Sequence, residues 1–262
     1  MRMDSHGAAC IMYRILCAIR WWRDRNSSIS RHSALANFLK QLGDYPAESL
    51  YETIPKFHDT VKRFHDFKDA LRKDVKNRAR LCREEIEFVL AREDDCGVLM
   101  KQLEEGILPL RVTHNDTKLN NILFDKNTGE GLCIIDLDTI MPGLAANDFG
   151  DSIRFGASTA EEDEKDLNKV HFDIELYRIY VKGYLEMAKD VLTPAENASL
   201  PWGARLMTLE CGMRFLADFL QGDVYFKTTY PEHNLVRART QFRLVKEMEE
   251  QFDQMQEIVE TF

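Results

Sequence analysis

Two short apolar runs in the middle of the chain constrain its fold more than any other feature. Residues 121–125 (Asn-Ile-Leu-Phe-Asp) and 132–136 (Leu-Cys-Ile-Ile-Asp) are rich in branched side chains, as strands are. Residues 126–129 between them (Lys-Asn-Thr-Gly) have the composition of a tight turn, so the two runs predict a β-hairpin. A third short extended run is predicted at 108–113.

Most of the remaining sequence predicts helices. Apolar residues recur at helical spacing from Ser33 to Leu42, and Gly43 ends that segment. An amphipathic pattern over 58–92, which includes Val61 and Val75, predicts one long helix. Further helices are predicted near 163–189, 202–220 and 235–260. The expected fold class is mainly α (α+β), with the hairpin as its small β element.

Composition excludes several classes of protein. The net charge of −9 lacks the basic footprint of a nucleic-acid binder. The six cysteines show no CxxC pair, so neither a disulfide framework nor a zinc site is predicted. Since no apolar run approaches the roughly 20 residues of a membrane span, we expect a soluble, cytoplasmic protein without membrane or nucleic-acid partners. The oligomeric state is not predicted.

Polar and acidic residues stand at both ends of the predicted hairpin. Turn and capping roles would explain one such cluster, but two clusters at one hairpin favour a functional site. Phosphoryl transfer with Mg²⁺ needs hard oxygen ligands and a carboxylate beside the acceptor hydroxyl. In protein kinases the base Asp precedes a metal-binding Asn by five residues, and a second metal-binding Asp follows. Asp116, Asn121 and Asp136 have this arrangement.

The motif His114-x-Asp116, followed by Asn121 and then by Asp136-x-Asp138, resembles the aminoglycoside phosphotransferase and choline-kinase-like superfamily. Longer segments look like the N-acetylhexosamine kinases, which phosphorylate an anomeric hydroxyl. These segments are residues 52–60, 111–121, 136–143, 148–154, 219–226 and 233–241. The resemblance covers roughly residues 33–250.

The resemblance implies a role for each matching residue. Asp116 would be the catalytic base and Lys118 would lie beside the phosphate that ATP transfers. Asn121 and Asp136 would bind Mg²⁺, and thereby ATP. The remaining assignments are His114 and Asp138 as supports of the loop, and Arg154, Arg214 and Tyr225 as sugar-binding residues. Asp148 and Asp151 are expected to support the loop rather than to contact substrate.

Enzymes of this superfamily also have an N-terminal β lobe, with a loop over the ATP phosphates and a strand lysine. Residues 1–32 contain one glycine and no lysine, and are too few for a five-stranded sheet. We therefore expect residues 1–32 to be an atypical segment and residues 33–262 to be a protein-kinase-like C-terminal lobe. Without the β lobe, this chain alone is expected to have reduced kinase activity or none.

Other interpretations stay open at this stage. The acceptor could be another small alcohol, such as choline or homoserine, or an aminoglycoside, because the loop chemistry is common to these enzymes. The chain could also be a non-catalytic sugar-binding module. A metal-dependent hydrolase is less favoured because further His ligands with metal-like spacing are missing. His58 and His65 are interpreted as solvated or packing residues rather than as a zinc pair.

Overall fold

A computed structural model describes residues 34–125 and 131–262 of the chain, and most of them are helical. The predicted segment 1–32 and the predicted turn at 126–129 lie outside these ranges. Within them the α-helices are α1 (Ala34–Gln41), α2 (Thr60–Lys73), α3 (Arg83–Leu90), α4 (Val98–Glu104), α5 (Ala145–Gly156), α6 (Ile174–Ala188), α7 (Pro194–Gln221), α8 (His233–Glu250) and α9 (Phe252–Thr261). The prediction of a mainly helical fold is confirmed.

Four short strands of the described ranges form two antiparallel pairs. They are β1 (Arg111–Thr113), β2 (Ile122–Phe124), β3 (Gly131–Ile134) and β4 (Met141–Gly143). The β2–β3 pair is the predicted hairpin, with Ile122 opposite Ile134. The β1 strand lies in the predicted extended run and pairs with β4, which the sequence did not predict. The two pairs hold the ends of the polar segments at 114–121 and 135–140, so the residues of both segments are brought close together.

The prediction of one long helix over 58–92 is wrong. Helix α2 ends at Lys73, because Asp74 adopts a left-handed conformation with φ 31°. The Asp74 carboxylate accepts the backbone N–H groups of Arg78 (2.7 Å) and Ala79 (3.2 Å), and so begins a new turn instead of continuing the helix. Val75, which belonged to the predicted apolar face, is 57% exposed.

The predicted C-terminal helices also differ from the observed ones. Helix α6 begins only at Ile174, where Asp173 caps it by accepting two backbone N–H groups. Helix α7 begins before the predicted 202–220 segment, at a capping box formed by Thr193 and Glu196. The predicted 235–260 helix is two helices, α8 and α9, which meet at Gln251.

Helix α5, which the sequence did not predict, is buried from Ala145 to Arg154 and crosses α7 closely. A β-carbon at Gly150 would overlap the carbonyl of Gly203, so the helices can approach only because both residues are glycine. Two apolar clusters flank the crossing. One contains residues of α5, α6 and α9, and the other contains residues of α2 and α3; α7 and α8 contribute to both. The core therefore fixes α5 in place.

Two further observations concern the hydrophobicity of the helices and the state of the cysteines. None of the helices in ranges 34–125 and 131–262 is long and apolar enough to cross a membrane. Cys82, Cys96, Cys133 and Cys211 are free thiols.

Candidate active site

The 114–121 loop is held in place by two carboxylates of α5. Asp148 accepts the backbone N–H groups of His114 and Asn115, both at 2.7 Å, one on each carboxylate oxygen. Asp151 accepts the N–H of Thr117 at 2.9 Å. Because Asp148 and Asp151 are three positions apart, they lie on one face of the helix. Both residues therefore contact the loop backbone, as expected from the sequence.

Burial affects these two carboxylates differently. Desolvation raises the pKa of Asp148 to about 6, and the two backbone N–H donors oppose the rise. Burial also acts to raise the pKa of Asp151, but the positive charges of Arg154, His58 and Lys118 and the hydrogen bond from Arg154 together outweigh it, and the pKa of Asp151 is lowered. Arg154 is itself buried and forms ion pairs with Asp151 (3.1 Å) and Glu162 (2.7 Å).

His114 connects the loop to the end of β3. Its Nε2 lies 3.0 Å from the carbonyl oxygen of Ile135, and its Nδ1 accepts the backbone N–H of Asp116 at 3.3 Å. Since a carbonyl only accepts hydrogen bonds, the proton of the neutral ring is on Nε2. Thr139 adds a second connection by donating its hydroxyl to the carbonyl of His114 at 2.7 Å.

The structure brings Asp116, Lys118 and Asn121 together. The Asp116 Oδ2 atom lies 2.9 Å from Nζ of Lys118 and accepts Nδ2 of Asn121 at 3.0 Å. Nδ2 of Asn121 also donates to the backbone carbonyl of Asp116 at 2.8 Å. The Asp116 side chain is 25% exposed, so it is held in one orientation while it still faces solvent.

Two oxygen donors near this cluster could hold a divalent cation. The amide N–H group of Asn121 is committed to Asp116, which leaves its Oδ1 as a ligand atom. Asp136 is exposed, with a left-handed backbone (φ 64°), and its carboxylate has no hydrogen-bond partner among residues 34–125 and 131–262. A backbone hydrogen bond of 2.9 Å from Ile135 to Asn121 connects the two positions. Mg²⁺ fits this donor set because it binds proteins through one or two oxygen ligands and takes the others from phosphates and water.

The structure shows no protein-only metal cage. In the described ranges, no group of three or more His, Cys, Asp or Glu residues is placed to hold a metal ion. Asp138 is exposed, and its backbone carbonyl accepts the Thr53 hydroxyl at 3.3 Å. Its side chain forms no hydrogen bond or ion pair with the 114–121 loop in the part of the chain that the structure describes, so its supporting role stays a prediction.

Arg214 of α7 lies among aromatic rings. Its guanidinium carbon is 5.3 Å from the ring centre of Phe57, 5.6 Å from that of Phe226 and 6.0 Å from that of Tyr225. No residue that the structure describes forms an ion pair or a hydrogen bond with it. Tyr225 is 69% exposed. The five N–H donors of Arg214 are therefore available to a ligand beside an exposed aromatic ring.

The segment that carries Tyr225 is held by one buried carboxylate. Asp218 accepts three consecutive backbone N–H groups, from Val224 (2.9 Å), Tyr225 (2.8 Å) and Phe226 (2.9 Å). It also accepts Nδ2 of Asn234 at 2.8 Å. The backbone of the 224–226 segment is thus set by α7 and α8, independently of its exposed side chains.

One comparison with known proteins identifies the family, and a second concerns the fold. The sequence pattern of the phosphotransferase enzyme family (APH) matches residues 18–188, which is more than half of the chain. The chain belongs to the phosphotransferase enzyme family. Its fold is similar to that of a choline kinase from Cryptosporidium parvum Iowa II, with a TM-score of 0.52 and 15% sequence identity. The similarity covers 89% of this chain and 70% of the choline kinase. This confirms the prediction of a kinase-like fold; at this identity it shows the fold alone.

Arg154 is placed differently from the other predicted sugar-binding residues of this phosphotransferase. Arg214 and Tyr225 share one aromatic cluster, whereas Arg154 is buried and its charge is compensated by Asp151 and Glu162. Its connection to the 114–121 loop passes through Asp151, which also binds Thr117. The assignment of Arg154 to the sugar pocket stays a prediction.

The sequence of the phosphotransferase did not reveal His58 as a residue that contacts the loop from a distance, or Glu210 as its partner. His58 is buried, and its ring nitrogens lie 2.9 Å from the carbonyl oxygen of Asn115 and 2.9 Å from Glu210. His58 lies in the 52–60 segment that resembles the family, but the resemblance assigned it no role; no motif marks Glu210, since a single Glu within a helix is common. The interpretation of His58 as a packing residue was incomplete because its contact partners are 57 and 152 positions away.

Proposed function

We propose that this chain is the catalytic lobe of an ATP- and Mg²⁺-dependent kinase that phosphorylates a sugar hydroxyl. The favoured acceptor is the anomeric hydroxyl of an N-acetylhexosamine (N-acetylglucosamine or N-acetylgalactosamine). One observation carries the proposal: Asp116 is a partly exposed carboxylate whose orientation is set by Lys118 and Asn121. It lies on a loop whose backbone is bonded to a buried helix. A preorganised carboxylate of this kind is what a transferring hydroxyl needs.

The hydrogen bonds around Asp116 assign different roles to its two oxygens. Oδ2 is occupied by Lys118 and Asn121, whereas Oδ1 has no partner in the described part of the chain. Oδ1 is therefore the atom that would accept the hydrogen bond of the acceptor hydroxyl. As the hydroxyl oxygen bonds to the γ-phosphorus of ATP, its proton would pass to Oδ1 and ADP would leave. Lys118 is close enough to turn from Asp116 toward the transferring phosphate.

Asn121 and Asp136 are the proposed metal ligands. When bound, Mg²⁺ supplies charge neutralisation at the phosphate oxygens. Asn121 has a second role in this arrangement, because the same amide group that offers Oδ1 to the metal holds Asp116 through Nδ2. The amide therefore links the position of the base to the position of the nucleotide.

Arg214 favours an uncharged, oxygen-rich acceptor. Its guanidinium can donate to hydroxyl and acetamide oxygens, and Tyr225 can pack against a sugar face. A cation that has no counter-charge among the described residues would repel the quaternary ammonium of choline and the amines of an aminoglycoside. The charge of Arg214 thus supports a sugar over these alternative acceptors, on the basis of the acceptor-site position that the family resemblance implies for Arg214.

The test is ATP-dependent phosphorylation across a panel of N-acetylhexosamines, hexoses, choline, homoserine and aminoglycosides. The turnover that this chain alone retains should be highest with an N-acetylhexosamine, and we expect Asp116→Asn to lower kcat by about 10²–10⁴-fold, the usual contribution of a general base. Asp69→Asn is the matched control, because Asp69 is exposed and pairs only with Arg72 on the surface of α2. Turnover that Asp116→Asn leaves unchanged would rule out the assigned base.

A non-catalytic sugar-binding module is the second candidate. It is favoured by the fact that the Arg214 cluster is formed by Phe57, Tyr225 and Phe226, none of which is a predicted nucleotide ligand. Calorimetric titration with the sugar, with and without ATP and Mg²⁺, separates the two candidates. Sugar binding without any detectable nucleotide binding would favour the module.

A further inference from the structure

We infer that His58 is a positioning residue for the proposed base, and that it acts as an imidazolium paired with the buried Glu210. The inference rests on the proposed function, since it assigns His58 a task in orienting Asp116. His58 is the second-last residue before α2, and its side chain is 7% exposed. It reaches the 114–121 loop from the 52–60 segment, which resembles the family but in which the resemblance assigns His58 no role.

The peptide group between Asn115 and Asp116 is bound at both of its ends. Its carbonyl oxygen lies 2.9 Å from Nε2 of His58. Its N–H donates to Nδ1 of His114 at 3.3 Å. Two imidazole rings thus fix the plane of the peptide from which the Asp116 side chain extends. Asn115 has a left-handed backbone (φ 62°), which an L residue keeps only when its surroundings hold it there.

The two contacts of His58 determine where its protons lie. The carbonyl of Asn115 can only accept, so Nε2 carries a proton. Nδ1 lies 2.9 Å from Oε1 of Glu210, so a second proton must lie between these atoms. If it were missing, a ring lone pair would face a buried carboxylate. The arrangement therefore holds two protons, as an imidazolium beside a carboxylate or as a neutral ring beside a protonated Glu210.

The surrounding charges favour the imidazolium. Arg63 of α2 lies 3.9 Å from Oε1 of Glu210 and stabilises the carboxylate form. Asp148 and Asp151 of α5 lie close enough to stabilise a positive charge on the ring. Burial acts to lower the pKa of His58, but Glu210, the carbonyl of Asn115 and Asp151 together raise it above the ordinary value. The cation therefore persists to a higher pH than in an ordinary imidazole and is lost as the pH rises past the raised pKa.

Glu210 depends on His58 for its only close hydrogen bond. The Glu210 side chain is fully buried, and its Oε2 has no hydrogen-bond partner in the described part of the chain. Removing His58 would leave a buried carboxylate with only the more distant Arg63, which is destabilising in itself. Any test must therefore separate two effects of removing His58: the loss of its contact with the loop, and the destabilisation caused by the unpaired charge of Glu210.

The test uses two variants that remove the imidazole equally but keep different hydrogen bonds. Glutamine places its amide group near the position of Nε2, so His58→Gln keeps a donor for the carbonyl of Asn115. Asparagine places its amide near the position of Nδ1, so His58→Asn keeps the contact with Glu210 and loses the one with the loop. Both variants are also made with Glu210→Gln, which removes the buried charge and so protects folding. The controls are His65→Gln and His65→Asn, since His65 is an exposed residue of α2.

We expect His58→Asn to lower kcat by about 10²-fold relative to His58→Gln, which is the cost of displacing a reacting group by about 1 Å. The KM values for both substrates should agree between the two variants, and His65 variants should match the wild type. Equal losses of kcat in the two His58 variants, or a loss confined to KM, would overturn the inference.

A second measurement does not depend on turnover. Hydrogen exchange of the Asp116 amide should be faster in His58→Asn/Glu210→Gln than in His58→Gln/Glu210→Gln, because only the latter keeps the carbonyl of the same peptide bound. Nitrogen NMR of the wild type should show both ring nitrogens of His58 protonated at neutral pH. Equal exchange in the two variants, or a neutral ring whose Glu210 is protonated, would overturn the inference. If the wild type showed no turnover with any acceptor, the proposed function would fail, and these two results would still decide the inference.

Discussion

Among single residues, Asp148 is the one whose protonation state has the most direct effect on the proposed site. Each of its carboxylate oxygens accepts one backbone N–H of the 114–121 loop at 2.7 Å. Burial raises the pKa of Asp148 to about 6, which is within the range where enzymes are assayed. A protonated carboxyl group has one oxygen converted to a hydroxyl donor, so one of the two loop contacts weakens.

We therefore expect kcat to fall as the pH is lowered through about 6, the raised pKa of Asp148. Protonation of Asp148 changes the free energy of unfolding in the opposite direction to kcat. Because the native pKa is above that of the unfolded chain, the contribution of Asp148 to stability is fully present below the unfolded pKa. That contribution is lost as the pH rises through the pKa of Asp148 in the native protein. The pH dependence of kcat and the free energy of unfolding should be measured on the same samples. If the fall of kcat at low pH is unchanged in Asp148→Asn, a group other than Asp148 causes it.

Arg214 gives the second prediction at this scale. Arg214→Gln should raise the KM of the proposed sugar acceptor, because hydrogen bonds to a charged group contribute about 1.5–3 kcal/mol, on the order of tenfold to a hundredfold. The KM for ATP should not change. Arg72→Gln is the control, since Arg72 is exposed on α2 and pairs only with Asp69. An acceptor KM that Arg214→Gln leaves unaltered would remove Arg214 from the acceptor site.

The sequence predicts some residues of the site and not others for a physical reason. Asp116 and Asn121 are recognisable because the loop that joins them is short, so their spacing reflects their geometry directly. His58 and Glu210 act through contacts between distant segments, so the local pattern around neither residue shows what it does. The position of Arg154 could not be predicted either, because its burial depends on ion partners from two segments.

Among secondary-structure elements, the crossing of α5 and α7 connects the site to the core. Helix α5 carries the two carboxylates that hold the loop, and α7 carries Arg214 and Glu210. A β-carbon at Gly203 would overlap the carbonyl oxygen of Ala146. Since that oxygen belongs to the backbone, it cannot move without a shift of the whole helix.

Gly203→Ala should therefore destabilise the fold by about 1–3 kcal/mol or more, the usual cost of overpacking a core. The same shift should lower kcat, because it displaces Asp148 and Asp151. Gly97→Ala is the matched control, because a β-carbon there meets no atom within 4 Å. Denaturant unfolding and steady-state kinetics check both effects. An unchanged unfolding midpoint in Gly203→Ala would show that the helices can separate at little cost.

Helix boundaries were harder to predict than helix positions, and Asp74 shows why. In the sequence it is one more charged residue on the polar side of an amphipathic pattern. In the structure it caps a turn whose Arg78 donates to the carbonyl of Phe219 at 2.8 Å and pairs with Asp223 at 2.5 Å. Those partners lie more than 140 residues away, so no local pattern contains the information that ends α2 at Lys73.

For the molecule as a whole, α7 belongs to both apolar clusters. Leu200 is buried in the cluster that includes α6 and α9, and Leu216 is buried in the one that includes α2 and α3. One continuous helix contributes to both clusters. If the packing of one cluster is lost, the other cluster therefore loses some of its contacts as well. The described part of the chain should therefore unfold as one cooperative unit.

Leu200→Ala and Leu216→Ala test this expectation. Each should cost about 2–5 kcal/mol, the usual range for a leucine truncated in a core, and each should shift the same single transition. Circular dichroism and hydrogen exchange of amides in both clusters should report coincident midpoints for each variant. Separate midpoints for the two clusters would mean that they are independent units joined by a helix that can fray in its middle.

The way in which Asp218 holds the 224–226 segment has a consequence for how acceptor preference can change over evolution. Its carboxylate binds three backbone N–H groups, so the path of the segment does not depend on which side chains the segment carries. Val224 and Tyr225 are both exposed, and substitutions there would alter the surface beside Arg214 at little cost in stability. Related enzymes could thus diverge in acceptor at these two positions while Asp218 is retained, and a library randomised only there would be a direct way to search for new acceptors.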